Sequence, residues 1–254
     1  MPKFDRTILP ILFAGLLSAC AAPRKPDPIE QGKLASIKTI AIATPSEAKY
    51  FAFVGAAPVT TFAGGPAGAS VASGAIAGFL TGSSQSRAAG FDGFVKHHYP
   101  GVDLNREFLN ALKSGLRSEG YDVIEFAAKP IGTDKPTAPS RSSAVTADSV
   151  LAAKPDDIQA DAVMALDVST SYAAPGPLNS FTRAISLRVL IAESRSRTLL
   201  LSRFYDYDKH FSDVYSYRTY GALTEDISRA FEGLRQALLS LVPEVCGDLH
   251  KSGT

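Results

Sequence analysis

Ile185 to Phe204 reads ISLRVLIAESRSRTLLLSRF, and its alternation decides the fold. Ile185, Leu187, Val189 and Ile191 take every second position with Ser186 and Arg188 between them, the period of a β-strand that buries one face. Glu193 to Arg197 is polar and reads as a turn, beyond which Leu199 and Leu201 continue as a partner strand. The stretch predicts a long antiparallel hairpin with one buried face, at the heart of a sheet. Just upstream, Asp161 to Tyr172 (DAVMALDVSTSY) sets Met164, Leu166 and Val168 on one face until Pro175-Gly176-Pro177 breaks the run.

Working outward, Asp103 to Phe126 is the clearest helix and strand. Asp103 is a suitable N-cap, Leu104, Phe108, Leu112 and Leu116 recur at four-residue spacing, and Gly120 suits the left-handed position that ends a helix. Tyr121 to Phe126 (YDVIEF) follows as a strand, and Lys129 to Ser143, with three prolines, reads as a surface loop. Ser36 to Thr44 (SIKTIAIAT) is a first strand stopped by Pro45. Asp148 to Gln159 is a weaker helical stretch interrupted by Pro155. At the other end Leu223, Ile227, Phe231, Leu234, Leu238 and Leu241 step by four or three, an amphipathic helix that Pro243 is expected to end. The order β-α-β, then β, hairpin and terminal helix predicts an α+β fold: a mixed, mainly antiparallel sheet with helices on one face.

Tyr50 to Ser86 stands apart as a Gly/Ala/Ser-rich insertion without a single charged residue. Ser70, Gly74, Gly78 and Gly82 recur every four residues, with Gly64 and Gly68 as a second such pair. On a helix this lines small residues along one face and lets another backbone approach closely. The competing reading is a flexible loop, because each helical glycine costs about 1 kcal/mol.

The start, MPKFDRTILPILFAGLLSAC, has Lys3 and Arg6, an apolar run from Ile8 to Leu17, and small residues at Ser18 and Ala19. That is the layout of a secretory signal, with an apolar run about half the length that spans a bilayer. Leu17-Ser18-Ala19-Cys20 resembles a bacterial lipobox, which implies removal of residues 1–19 and acylation of Cys20. Burial of acyl chains, at about 0.8 kcal/mol per CH₂, would then hold the protein to the membrane while its domain stays in water. Ala21 and Ala22 after the cysteine imply, by the lipoprotein sorting pattern, delivery to the outer membrane. Residues 20–33, with three prolines and five charges between Ala21 and Lys33, read as a tether, and residues 34–249 as a single periplasmic domain.

Composition narrows the partners. Of 254 residues, 45% are hydrophobic, enough for one globular domain. Removing the signal leaves 24 basic against 24 acidic residues. That balance offers no basic footprint for nucleic acid. Cys20 and Cys246 are the only cysteines, so acylation of the first leaves the second as an odd thiol, either buried beside Leu241 and Val242 or exposed for an intermolecular role.

Chemistry is sparse. In FYDYDKHF, Asp206, Asp208 and His210 share one face of a continued strand, where they would hold a divalent cation or simply form a solvated outer face over Tyr205, Tyr207 and Phe211. The solvated face is the expectation, with no metal and no cofactor. Ser46-Glu47-Ala48-Lys49 has the SxxK spacing but sits in an expected loop without companion motifs, and His97-His98 lacks a metalloprotease context. GxSxG and GxxxxGK patterns do not occur, so no enzyme is expected.

The pieces IKTIAIA, FLNALKSGLRSEGYDVIEF, ADAVMALDVSTSY and ISLRVLIAESRSRTLLLSRF together resemble the periplasmic domain of the curli-secretion lipoprotein and its relatives. The resemblance covers about two-thirds of the mature chain and implies assembly work rather than catalysis. It does not carry over a pore, because residues 50–86 lack the alternation of membrane-crossing strands. The expected function is therefore a noncatalytic, outer-membrane-anchored periplasmic lipoprotein of an envelope assembly, with the membrane, a protein partner or further copies of itself as partners. The alternative is a lipid- or small-ligand-binding accessory lipoprotein of an envelope transporter. A solid core with an exposed small-residue face favours the first, and a closed apolar cavity between sheet and helix the second.

Overall fold

The computed structural model describes residues 31–34, 36–54, 82–127, 150–151, 154, 156, 158–207 and 214–250. In chain order the elements are α1 (Gln31–Leu34), β1 (Thr39–Ala43), β2 (Tyr50–Val54), α2 (Gly82–His98), α3 (Leu104–Ser118), β3 (Asp122–Phe126), β4 (Ala162–Ala174), β5 (Thr182–Glu193), β6 (Leu199–Tyr207), α4 (Tyr220–Glu225), α5 (Ile227–Leu239) and α6 (Val242–Asp248). The fold is α+β, built on a mixed sheet of six strands among the described residues.

The strands run in the order β3-β1-β4-β5-β6, with β2 also paired to β4. β1 and β2 lie one after the other along β4, both parallel to it: Ile42 opposes Met164, and Tyr50 opposes Thr170. β4, β5 and β6 form an antiparallel meander whose register sets Leu166 against Val189 and Leu187 against Tyr205. These are the longest pairings, so the expected mainly antiparallel character holds. The centre is misplaced by one strand in the sequence reading. β4, paired with β1, β2 and β5, is the heart of the sheet, while the β5–β6 hairpin forms its flank, with β6 outermost among the described strands.

α3 forms as its periodicity dictates. Asp103 Oδ1 accepts the Asn105 N–H, and Leu104, Phe108, Leu112 and Leu116 are all buried. At its other end Gly120, at φ +84°, donates to Arg117 O while Tyr121 N–H reaches back to Leu116 O. This pair of bonds satisfies two orphan carbonyls and turns the chain straight into β3.

Two sequence expectations are corrected. The charge-free stretch from Tyr50 to Ser86 is not one segment: its first five residues, YFAFV, are β2, and from Gly82 onward it belongs to α2. Tyr50 and Ala52 are buried on the helix side, so the beginning of the stretch is core. The C-terminal helix is three helices, divided at Asp226 and at Ser240 to Leu241. Pro243 stands in the first turn of α6, where its missing N–H is not needed, so it begins a helix rather than ending one. The six apolar positions from Leu223 to Leu241 are nonetheless all buried.

One large core fills the space between the sheet and the helices. Tyr50, Tyr172, Phe91 and Phe108 are its largest fully buried side chains, and Phe91 meets Tyr172 edge to face at 6.1 Å. A smaller cluster on the opposite face joins Ala41, Val163, Ala165, Leu190 and Phe126 to Val150 and Leu151. Val150 and Leu151 are helical, within the stretch where a weak helix was expected.

Candidate functional site

The two ends of β4 carry different things. At its start the Asp161 carboxylate accepts the backbone N–H groups of Lys38 and Thr39, each at 3.0 Å. Those bonds hold the Asp161 carboxyl below its ordinary range. The β5–β6 turn closes beside it, with Ser194 N–H donating to Asp161 O. Here the chain arriving from the N-terminus enters the fold, with Leu34 and Ile37 buried.

At the far end of β4, Ala174 opposes Val54, the last residue of β2. Pro175 to Asn179 then turn into β5, closed by Asn179 N–H to Gly176 O, and Leu178 at the tip is 98% exposed. α2 runs antiparallel to β2: Asp92 accepts the Tyr50 N–H at 3.0 Å, and Lys96 pairs with Glu47 at 3.2 Å. Its earlier turns therefore lead toward Val54 and the same end. The chain leaves the described structure at Val54 and rejoins it at Gly82, with both sides of this gap directed to the end of β4 opposite the N-terminal attachment.

A latch secures this end. Arg183 is only 6% exposed; it donates to Gly233 O at 3.0 Å and to the Tyr207 hydroxyl at 2.6 Å. Its guanidinium carbon lies 4.6 Å from the Tyr207 ring centre and 4.5 Å from that of Tyr215. Tyr217 bridges to Phe181 by two backbone hydrogen bonds, and burial pushes its hydroxyl up to about 12. Gly233 permits the approach, since a Cβ there would meet the Tyr172 hydroxyl and the Tyr215 ring at 2.8 Å. The sequence reading missed this cluster, although a signal exists: Arg183 is in phase with Ile185, Leu187 and Val189, so strand periodicity alone directs a charge to the helix side.

Of the residues singled out in the sequence, Cys20, Ser70, Gly74 and Gly78 lie outside the described residues, and Gly82 opens α2. Asp206 is exposed near the end of β6, while Asp208 and His210 lie outside the described residues. Ser46 to Lys49 is a loop, as expected, tied to α3 by Asn105 Nδ2 donating to Ser46 O. His97 and His98 are exposed on the last turn of α2, where the His98 ring stacks on Phe94. Cys246 is buried and packs against Gly115, and burial raises its thiol. Among the described residues, no three His, Cys, Asp or Glu side chains converge as a metal-binding group, and no helix is long and apolar enough to cross a membrane.

No protein-family model and no curated protein matches the chain. Solved structures align over most of its length at low similarity. A neuraminyllactose-binding hemagglutinin homolog from Helicobacter pylori is 12% identical with a TM-score of 0.39, covering 91% of this chain and 89% of its own. A Xanthomonas campestris protein of the DUF330 family is 11% identical with a TM-score of 0.37, covering 89% and 86%. A hypothetical protein from Chlamydia trachomatis is 13% identical with a TM-score of 0.32, covering 84% and 98%. At these scores the likenesses do not bear on what the site does.

Proposed function

We propose that this protein is a noncatalytic, outer-membrane-anchored periplasmic lipoprotein that acts in an envelope assembly, holding a contact end away from the membrane. The observation that carries the reading is the separation of the two chain junctions along β4. Lys38 and Thr39 bind Asp161 at the start of β4, so a tether of residues 20–33 would join the domain there, while Val54, where the charge-free segment departs, lies at its far end. Thirteen residues of β4 span about 40 Å, and the tether of residues 20–33 adds up to about 45 Å of reach.

The interior supports the assembly reading over a ligand carrier. Phe91, Phe108, Tyr50 and Tyr172 occupy the space between sheet and helices where an apolar ligand would otherwise lodge.

Two variants test the two junctions separately. Cys20→Ser is expected to release the protein from the membrane fraction and to remove lipid mass from its N-terminus. Unchanged fractionation with no lipid on the parent would overturn the anchor. Gly74→Leu combined with Gly78→Leu is expected to leave the domain's melting unchanged while abolishing cross-links to its partners in membranes. Parental cross-linking by the double variant would overturn the contact role.

A further inference from the structure

His97 and His98 close α2 with their side chains exposed, while Phe91 and Val95 of the preceding turns are buried in the core. The backbone is fixed immediately after them: Tyr99 N–H donates to Val95 O, and the Tyr99 ring stacks on Phe231 of α5 at 4.3 Å. His98 Nδ1 lies 2.9 Å from Phe94 O, and its ring is nearly parallel to that of Phe94. A carbonyl oxygen only accepts, so Nδ1 carries a proton and donates it. In the neutral ring Nε2 is then the nitrogen that keeps its lone pair. A backbone carbonyl receiving the other ring N–H is the arrangement that orients histidine ligands in metal sites.

We propose that His97 and His98 together bind one divalent transition-metal cation of the zinc class, each through an imidazole nitrogen, with Nε2 as the His98 ligand. A cation about 2.0 Å from a nitrogen of each ring lies about 3 Å from each ring centre, so two rings can share it up to a separation of about 6 Å. The two ring centres stand 5.3 Å apart. The charges nearby favour a cation. The Lys96 ammonium is held by Glu47 at 3.2 Å and by Asp92 at 3.1 Å, and the final carbonyls of α2 present a partial negative charge. Neutral imidazoles select zinc, copper and nickel, whereas calcium and magnesium take oxygen ligands. Among the described residues no third His, Cys, Asp or Glu joins the pair, so open positions remain for water and the cation stays exchangeable. This end of α2 lies away from Val54, so failure of the site would leave the assembly reading in place.

The test is calorimetric titration of the full chain in detergent with zinc chloride, and with calcium chloride as the contrasting cation. The parent is expected to take up one zinc and no calcium. His97→Gln and His98→Gln should each weaken zinc binding by at least about tenfold, the scale on which even an outer hydrogen-bond partner of a ligand is felt. Both side chains are exposed, so the two variants should melt as the parent does. His210→Gln combined with His250→Gln removes the remaining histidines and should leave the binding intact. Nitrogen-15 spectra of the imidazoles are expected to show zinc at His98 Nε2 with the proton retained on Nδ1. A parent that takes up no zinc, binding that survives the loss of His97 and His98, or zinc attached at His98 Nδ1 overturns the proposal.

Discussion

Arg183 and Gly233 depend on each other at the scale of single residues. The guanidinium reaches its acceptors because α5 comes close to β5, and α5 comes close because Gly233 has no side chain. Arg183→Met should lower stability by about 2–3 kcal/mol, through two lost hydrogen bonds and the stacking between two tyrosines. Urea denaturation would read this as a lower midpoint, and Arg183→Lys should recover only part of it because an ammonium cannot lie flat between two rings. Gly233→Ala sets opposing effects against each other. It gains about 1 kcal/mol of helix propensity but drives a methyl into a tyrosine ring and a hydroxyl, an overpacking cost of about 1–3 kcal/mol. A net fall in melting temperature is expected, and a rise would show that Tyr215 yields.

Among the elements, β5 and the β1 start give the clearest outcomes. Leu187 is buried opposite Val168 on one side and Tyr205 on the other, so Leu187→Asp buries an unpaired charge at a cost of several kcal/mol, comparable with the whole stability of a domain. Loss of the cooperative melt in circular dichroism is the expected result. At the start of β1, Asp161 is ionised more readily in the fold than its ordinary value of 3.8, because two N–H groups point at it. A depressed carboxyl contributes stability above its unfolded pKa and loses it as pH falls through the folded one. Asp161→Asn should therefore be less stable than the parent at neutral pH, with the gap closing below about pH 4. The same elements show where sequence is legible. α3 could be read because one apolar stripe, an N-cap and a glycine stop agree. In α2 Phe91 and Val95 are buried but no continuous apolar stripe accompanies them, so it offers no period to find. YFAFV was absorbed into the uncharged run that follows it, and only pairing with residues 170–174 makes it a strand. That contact is long-range, so no local pattern announces it, and the junction at the far end of β4 was hidden for the same reason.

For the whole molecule, the polarity of β4 turns location into prediction. Leu178 contributes nothing to the core at 98% exposure, so Leu178→Asp should leave the melting temperature unchanged. If the far end is the contact end, the same variant should reduce partner cross-linking in membranes, whereas a matching change in the β5–β6 turn, such as Ser196→Asp, should not. The way β1 and β2 share one side of β4 also fixes which of their side chains meet the helices. From Ile42 to Tyr50 the first chain advances eight residues while β4 advances six, from Met164 to Thr170. Their partners Ala162, Met164, Thr170 and Tyr172 are alternate residues of one strand, and so Ile40, Ile42, Tyr50 and Ala52 all face the helices. A one-residue slip of β2 along β4 would send Tyr50 and Ala52 to the opposite face and bring Phe51 and Phe53 inward. Because residues 44–49 are an irregular loop, a residue added there should be absorbed by the loop, leaving the pairing of Tyr50 with Thr170 to fix the facing.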